Sequence, residues 1–358
     1  MIFDGSVSTW PAVHGSVYEI DTLRLFEQPP APAARRARYV PRSRAVPLVG
    51  IVRNPRSYRN KGHEAELADC SNILIETPRT RDDLHECLAG FAERGIDYLV
   101  VDGGDGTVRD VLSSGEQIFG AQWPRLIILP KGKTNALTID LGLPDGWSLA
   151  DALAAAQNGK IEHRRPLRIT GAGGQGGCAM GFVMGSGVFT LATEAGQAAH
   201  RRGAFNGLAV ALSVLAVIFQ ALFGRRGNVW RSCTPMRIVD RATGREVPHG
   251  GIGNPDERFI AVATTFERFP VGARPFGRDA APGLKLAVID YPVRRLLARL
   301  PAILFGGSMS GPGSRAGHRF EGGPYTIDLG GAFILDGEAF PAGRYLVEEG
   351  PPLAFVVP

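Results

Sequence analysis

Cysteine is scarce here: Cys70, Cys87, Cys178 and Cys233 are the four in 358 residues, and no two form a C-x-x-C pair. That spacing excludes the usual cysteine zinc sites, argues against a disulfide framework, and fits a reducing compartment. The seven histidines include no H-E-x-x-H and no close pair. The opening residues Met1-Ile2-Phe3-Asp4-Gly5 lack the basic start and apolar core of a signal peptide, so export is not expected. No Gly-x-x-x-x-Gly-Lys-Ser/Thr loop occurs, which excludes a Walker A site, and no internal repeat is evident.

What is present is ordinary in bulk and uneven in placement. With 44% hydrophobic and 21% charged residues the chain reads as folded, and its length predicts two domains. The 47 glycines and 26 prolines predict many turns and short strands. Residues 1–62 hold 10 Lys/Arg against 4 Asp/Glu, while the rest is close to neutral. A basic end on a near-neutral body suits an anionic surface, lipid headgroups or nucleic acid, or else a solvated arm. Residues 28–45, prolines followed by five arginines, read as such an arm. Val17–Leu23 alternates weakly, as a strand would.

From residue 46 the pattern alternates. Leu48–Val52, Asn72–Glu76, Ile96–Val101 and Arg125–Leu129 read as buried strands. Thr80–Arg94 and Leu149–Ala156 read as helices, the first started by Thr80 with Asp83 and stopped by Gly95. Such alternation predicts a parallel sheet covered by helices. After about residue 163, short runs (Arg237–Val239, Phe259–Thr264, Leu284–Ile289, Tyr325–Leu329) between Gly/Pro turns predict a mainly antiparallel sandwich or barrel. The uncharged stretch Ala204–Gly224, flanked by arginines, predicts a buried or membrane-surface helix rather than a span. Val293–Leu300, with Arg294, Arg295 and Arg299 before Pro301, predicts a short basic helix, lying on anionic membrane or covering the β domain.

Two corners carry the chemistry. A buried strand runs into Asp102-Gly103-Gly104-Asp105-Gly106-Thr107, followed by a helical pattern. Glycines let backbone approach a ligand, and free N–H groups at a helix start suit phosphate. A carboxylate beside phosphates implies a metal or a proton to accept, so Asp105 points to Mg²⁺; the plainer alternative is a tight turn with Asp105 as helix cap. The second corner, Pro130-Lys131-Gly132-Lys133-Thr134-Asn135, again links a strand to a helix and brings cations and hydrogen-bond donors to the same sheet edge.

At these corners the chain resembles the diacylglycerol kinase and sphingosine/ceramide kinase superfamily, which also includes NAD kinases. Gly103–Thr107 matches its signature turn. Asn54-Pro55 is similar to its first nucleotide motif, Pro130–Asn135 stands in the place of its Pro-x-Gly-Thr/Ser-x-Asn loop, and Leu335-Asp336-Gly337-Glu338 matches its Asp-Gly-Glu segment. Taken alone, Asp336-Gly337 reads as a hairpin turn. Thr193–Gly224 resembles the helical segment interrupting the family's second domain. The resemblance covers roughly residues 46–358.

It leaves the basic extension at 1–45 unexplained and implies a Rossmann-like α/β nucleotide domain of the NAD kinase/diacylglycerol kinase type at 46–163, and an antiparallel β-sandwich domain at 164–358 that closes the active site. It implies ATP held by Asn54, Gly103, Gly104, Gly106, Thr107, Lys131, Gly132, Lys133, Thr134 and Asn135. Asp105, Asp336 and Glu338 would be catalytic, with Asp105 and Glu338 holding Mg²⁺. The expected acceptor is a membrane lipid, ceramide, sphingoid or diacylglycerol, with an anionic membrane surface as partner, no nucleic acid, and a place at the inner face of the membrane in the cytoplasm. Four features depart from the family: Arg56-Ser57-Tyr58 lacks the usual Ser-Gly after Asn54-Pro55, Lys133 replaces a small hydroxyl residue, Ala136 gives a sphingosine-kinase-like loop, and Ala281-Pro282-Gly283 replaces an acidic segment, leaving Asp279 nearby. Competing readings are a soluble NAD kinase and a catalytically silent, nucleotide-responsive membrane-binding protein.

Overall fold

A computed structural model describes residues 39–40, 44–62, 70–171, 177–193, 228–309, 311 and 313–358. The expectations for Val17–Leu23, for most of the arginine-rich arm, and for Ala204–Gly224 lie outside the described residues.

The first sheet has the order β2-β1-β3-β4-β18-β5. Its parallel strands are β1 (Val49–Arg53), β2 (Ile73–Glu76), β3 (Tyr98–Gly103) and β4 (Arg125–Pro130). β1 and β3 are buried along their whole length, as strands covered on both faces must be. Successive β3 residues serve opposite faces. Leu99 and Val101 join the core beneath helices α1 (Arg81–Arg94) and α2 (Asp105–Phe119), while Tyr98 and Val100 join the core against α4 (Leu149–Gln157). Between β4 and α4 lies the short α3 (Ala136–Leu141). α1 begins on a reciprocal Thr80–Asp83 capping box and ends on left-handed Gly95, as its sequence predicts.

The remaining strands form two six-stranded antiparallel sheets. In one, β10 (Glu257–Arg258), β9 (Thr234–Asp240), β14 (Tyr325–Leu329), β17 (Gly343–Glu349), β6 (Leu167–Gly171) and β7 (Cys178–Gly181) are neighbours in that order. In the other the order is β13 (Gly317–Glu321), β12 (Lys285–Ile289), β11 (Ile260–Thr264), β8 (Val183–Gly187), β15 (Phe333–Leu335) and β16 (Glu338–Phe340). One apolar core, including Leu167, Ile238, Val347, Ala263, Leu286 and Phe333, draws on both sheets and makes them a sandwich.

Three expectations change. The second domain does not run to the end of the chain: β18 (Leu353–Val356) returns to the first sheet, parallel to β4 and antiparallel to β5 (Ile161–Arg164), where Leu353 and Phe355 are fully buried. Nor is the arm before residue 46 wholly solvated. Tyr39 is buried, donates to Ile96 O at 2.7 Å and meets Phe119 edge-on, and Arg44 donates to Gly95 O and Arg94 O at 2.7 Å, closing the end of α1. Finally, the basic helix α5 (Arg294–Leu304) passes through Pro301. Buried Leu296, Leu297 and Ile303 hold it against the sandwich in spite of the missing donor. No described helix is long and apolar enough to cross a membrane.

Where the two units join, Asp140 of α3 is wholly buried and accepts from Arg164 Nε at 2.8 Å, Glu267 N at 2.8 Å and Arg268 N at 2.7 Å. The helix leading from the lysine corner is thereby tied to the sandwich.

Candidate active site

β1 and β3 end side by side, and buried polar contacts lock their ends. Arg53 Nη1 pairs with Asp102 Oδ2 at 2.9 Å. Asn60 Nδ2 donates to Asp102 Oδ1 at 2.9 Å and to Asn54 O at 3.0 Å. Asn54 Nδ2 donates to Thr107 Oγ1 at 3.1 Å, and Asn54 Oδ1 accepts from Arg56 N at 2.9 Å. Asn54 and Thr107 are 5% and 2% exposed, so they brace the glycine turn from beneath. Gly103 is required there, because a Cβ on it would fall 2.4 Å from Thr107 Oγ1.

The two corners touch. Lys131 N donates to Gly103 O at 3.1 Å, which carries the β3–β4 pairing into the loops. Asn135 lies in the left-handed region with φ 51° and folds its own loop: its Oδ1 accepts from Gly132 N at 2.8 Å and its Nδ2 donates to Gly132 O at 3.1 Å. Lys131 is half-buried, whereas Lys133 and Thr134 are exposed on the rim. Gly106 is half-buried in the first turn of α2.

Asp105 is the first residue of α2, yet its carboxylate serves the other corner. Oδ2 accepts from Ala136 N at 3.0 Å and Oδ1 from Leu137 N at 3.3 Å. It therefore caps α3 across space and fastens both loops together. Burial pushes its pKa up, and these amides pull against that.

Asp336 comes from the sandwich and lies near enough to Asp105 for the two carboxylates to repel. Asp336 and Gly337 form the two-residue turn of the β15–β16 hairpin, with φ 44° and 86°, a backbone that suits Asp-Gly. The hairpin-turn reading of Asp336-Gly337 holds. Its carboxylate accepts from Phe182 N at 2.9 Å and Val183 N at 2.9 Å, and Gly181 must lack a side chain because a Cβ there would lie 2.5 Å from Asp336 Oδ2. Burial first, and the charge of Asp105 with it, push the Asp336 pKa up to about 7 against the pull of the two amides and Arg109.

Glu338 is engaged by guanidinium groups. Its Oε1 lies 3.6 Å from Arg81 Nη2, and its Oε2 contacts Arg109 Nη2. Arg109 also donates to Asp110 Oδ1 at 2.7 Å and 3.2 Å, and both are almost fully buried. Burial opposes the Arg109 charge, but flanking Asp110 and Glu338 raise its pKa; burial likewise raises that of Asp110. The expectation that Glu338 holds a metal changes accordingly, since two guanidinium groups repel a divalent cation. Asp105 is the better donor, because Mg²⁺ commonly takes one or two carboxylates and fills its remaining positions with phosphates and water. Among the described residues no group of three or more His, Cys, Asp or Glu is placed to hold a metal.

Sequence reasoning missed Arg81, Arg109, Asp110 and the Phe182–Val183 amides. Arg109 and Asp110 carried a signal: two adjacent charges in the first turns after the glycines, amid the apolar residues Val108, Val111 and Leu112.

The chain is similar to known proteins in part of its sequence and in its fold. Residues 51–168 match the diacylglycerol kinase catalytic domain family. A crystal structure of "a putative diacylglycerol kinase" from Bacillus anthracis str. Sterne superposes with a TM-score of 0.62 at 15% identity, covering 88% of this chain and 99% of that one. A crystal structure of a diacylglycerol kinase from the same strain gives a TM-score of 0.54 at 13% identity, covering 88% and 98%. At such identities the likeness is one of fold, and it extends over both domains. No curated protein matches the chain by sequence.

Proposed function

Taking residues 51–168 as a diacylglycerol kinase catalytic domain, we propose that this protein transfers the γ-phosphate of ATP to a hydroxyl of a membrane lipid, a diacylglycerol or a ceramide or sphingoid lipid, at the cytoplasmic face of the membrane. The supporting observation is the meeting of two strand-to-helix corners with a carboxylate from the other domain within their field: Gly104 against Gly132, Asp105 fastening both, and Asp336 near enough to Asp105 to repel it.

The triphosphate lies along the two glycine corners, where backbone N–H groups and the lysines offset its charge. Mg²⁺, held by Asp105 and the phosphates, would supply further charge neutralisation when bound. Asp336 takes the proton of the lipid hydroxyl as that oxygen attacks the γ-phosphorus. The bond from γ-phosphorus to the bridging oxygen breaks, and ADP leaves with the electron pair. A base with a pKa near 7 suits this task at neutral pH. Phosphoryl transfer asks mainly for positioning and electrostatic stabilisation, which these groups provide. Arg109 and Glu338 form the buried ionic support beside Asp336.

The test is incubation with γ-labelled ATP and a panel containing diacylglycerol, ceramide, sphingoid base and NAD. Label on a lipid supports the proposal and identifies the acceptor. Label on NAD alone establishes the nucleotide kinase reading instead, and turnover of none leaves the silent membrane-binding protein.

A further inference from the structure

Three exposed apolar side chains lie on neighbouring elements. Ile139 on α3 is 39% exposed, Val271 in the short turn Pro270–Gly272 is 63%, and Phe305 at the end of α5 is 56%; they are three of the seven large hydrophobic side chains exposed among the described residues. Their elements are neighbours. α3 packs on the Pro270–Gly272 turn, and Arg274 N donates to Leu304 O at 2.6 Å, joining that loop to the end of α5. The row begins on the helix that leads from the lysine corner of the active site.

Val271 is conformationally costly where it stands. Its φ of 52° is a left-handed value that a β-branched residue rarely adopts. A strained, solvent-exposed valine gains nothing in the isolated fold, so its apolar side chain points to a contact outside it.

The surroundings are basic. Arg268, Arg274 and Arg278 are exposed in the Val271 loop, and Arg294 and Arg295 on α5. From Tyr291 to Phe320 the chain has five arginines and no Asp or Glu. In the loop the acids are Glu267, paired to Arg164 at 3.3 Å, and Asp279. Beneath the loop an aromatic series leads inward: Phe276 to Phe269 at 6.2 Å, Phe269 to Phe266 at 6.2 Å, and Phe266 stacked on Phe182 at 5.4 Å. Phe182 is the residue whose N–H holds Asp336.

We propose that this edge, with Ile139, Val271 and Phe305 as apolar tips and Arg274 and Arg278 as its charged border, docks on the anionic headgroup surface of a lipid bilayer. Apolar tips reach the headgroup–acyl boundary while arginines meet lipid phosphates, the combination that gives peripheral binding. The proposal rests on the lipid-kinase reading for its purpose, since it sets the phenylalanine series between bilayer and Asp336.

Full-length protein is co-sedimented with phosphatidylcholine vesicles with and without phosphatidylglycerol, and is separately assayed on a dispersed, water-soluble short-chain lipid acceptor. The wild type is expected to sediment with the anionic vesicles and to be released by salt. Arg274→Glu with Arg278→Glu lowers that partitioning at least about tenfold. Val271→Asn with Phe305→Ser lowers it as well, and Asn accepts the left-handed backbone, so the fold is kept. Both variants turn over the dispersed acceptor like wild type. Sedimentation of both variants at wild-type level, or equal wild-type binding to neutral vesicles, overturns the docking surface. Failure of the wild type to phosphorylate any lipid counts against the kinase reading and leaves the sedimentation result to decide docking.

Discussion

Gly104 and Gly132 meet with no room for a side chain on either. A Cβ on Gly104 would fall 2.8 Å from the Cα of Gly132, and one on Gly132 would fall 2.7 Å from the Cα of Gly104. These are backbone contacts, so no side chain can swing away to relieve them.

Gly104→Ala or Gly132→Ala should therefore force the corners apart, at a cost of roughly 1–3 kcal/mol in stability by overpacking. The larger effect is expected in the Michaelis constant for ATP, because both loops lose their relative placement. Thermal melts and ATP titrations give the two numbers. Wild-type affinity in both variants would show that the corners do not need to touch.

Asp105→Asn keeps size and removes charge. Catalysis is expected to fall by at least about 100-fold, in line with loss of a charged catalytic group. Asn has only one oxygen to accept from the Ala136 and Leu137 amides, so a small drop in melting temperature accompanies it. Circular dichroism checks that the protein stays folded; near-normal turnover would remove Asp105 from the mechanism.

The pKa of Asp336, up at about 7, has two consequences of opposite sign. Activity rises as pH climbs through this value, because the ionised form is the base. Stability does the reverse: between an unfolded value of about 3.9 and the folded value, the native state holds the extra proton, so folding weakens as pH rises through that window and levels off above it. Asp336→Asn should be relatively more stable against wild type at pH about 8 than at pH about 5. The difference between two pH values cancels the constant cost of the amide. Parallel pH dependence of the two melting curves would contradict the assignment.

Arg109→Met strands Asp110 and Glu338 in a poorly solvated site and should destabilise by about 3–5 kcal/mol, whereas Glu338→Gln, which leaves Arg109 paired with Asp110, should cost far less. Urea unfolding of both separates them. If Glu338→Gln is the worse of the two in stability, the ionic support is organised differently.

Lys133 is exposed on the rim of the second corner. Lys133→Ser is expected to raise the Michaelis constant for ATP by about 3–10-fold with little change in kcat, as loss of one charge-assisted contact would. An unaltered constant retires its role in nucleotide binding.

Local signals in the chain determined a good deal. The period of the apolar runs, the Thr80–Asp83 cap, the Gly95 stop and the glycine turns after β3 and β4 each depend on near neighbours, so the α/β order and both corners were legible before any coordinates. Asp336-Gly337 was equally legible as a hairpin turn, since an Asp-Gly pair carries its backbone preference with it. Contacts between residues far apart in the chain were decided by tertiary structure alone. β18 joins the first sheet because an open strand position beside β4 offers hydrogen bonds and burial that no local pattern announces. Asp105 caps α3 rather than its own helix because the loops are in contact, and Glu338 is taken by Arg81 and Arg109 because the sandwich hairpin lands beside α1 and α2. Charge placement in a buried site depends on which distant groups share the same poorly solvated space, and that is a property of the packed fold.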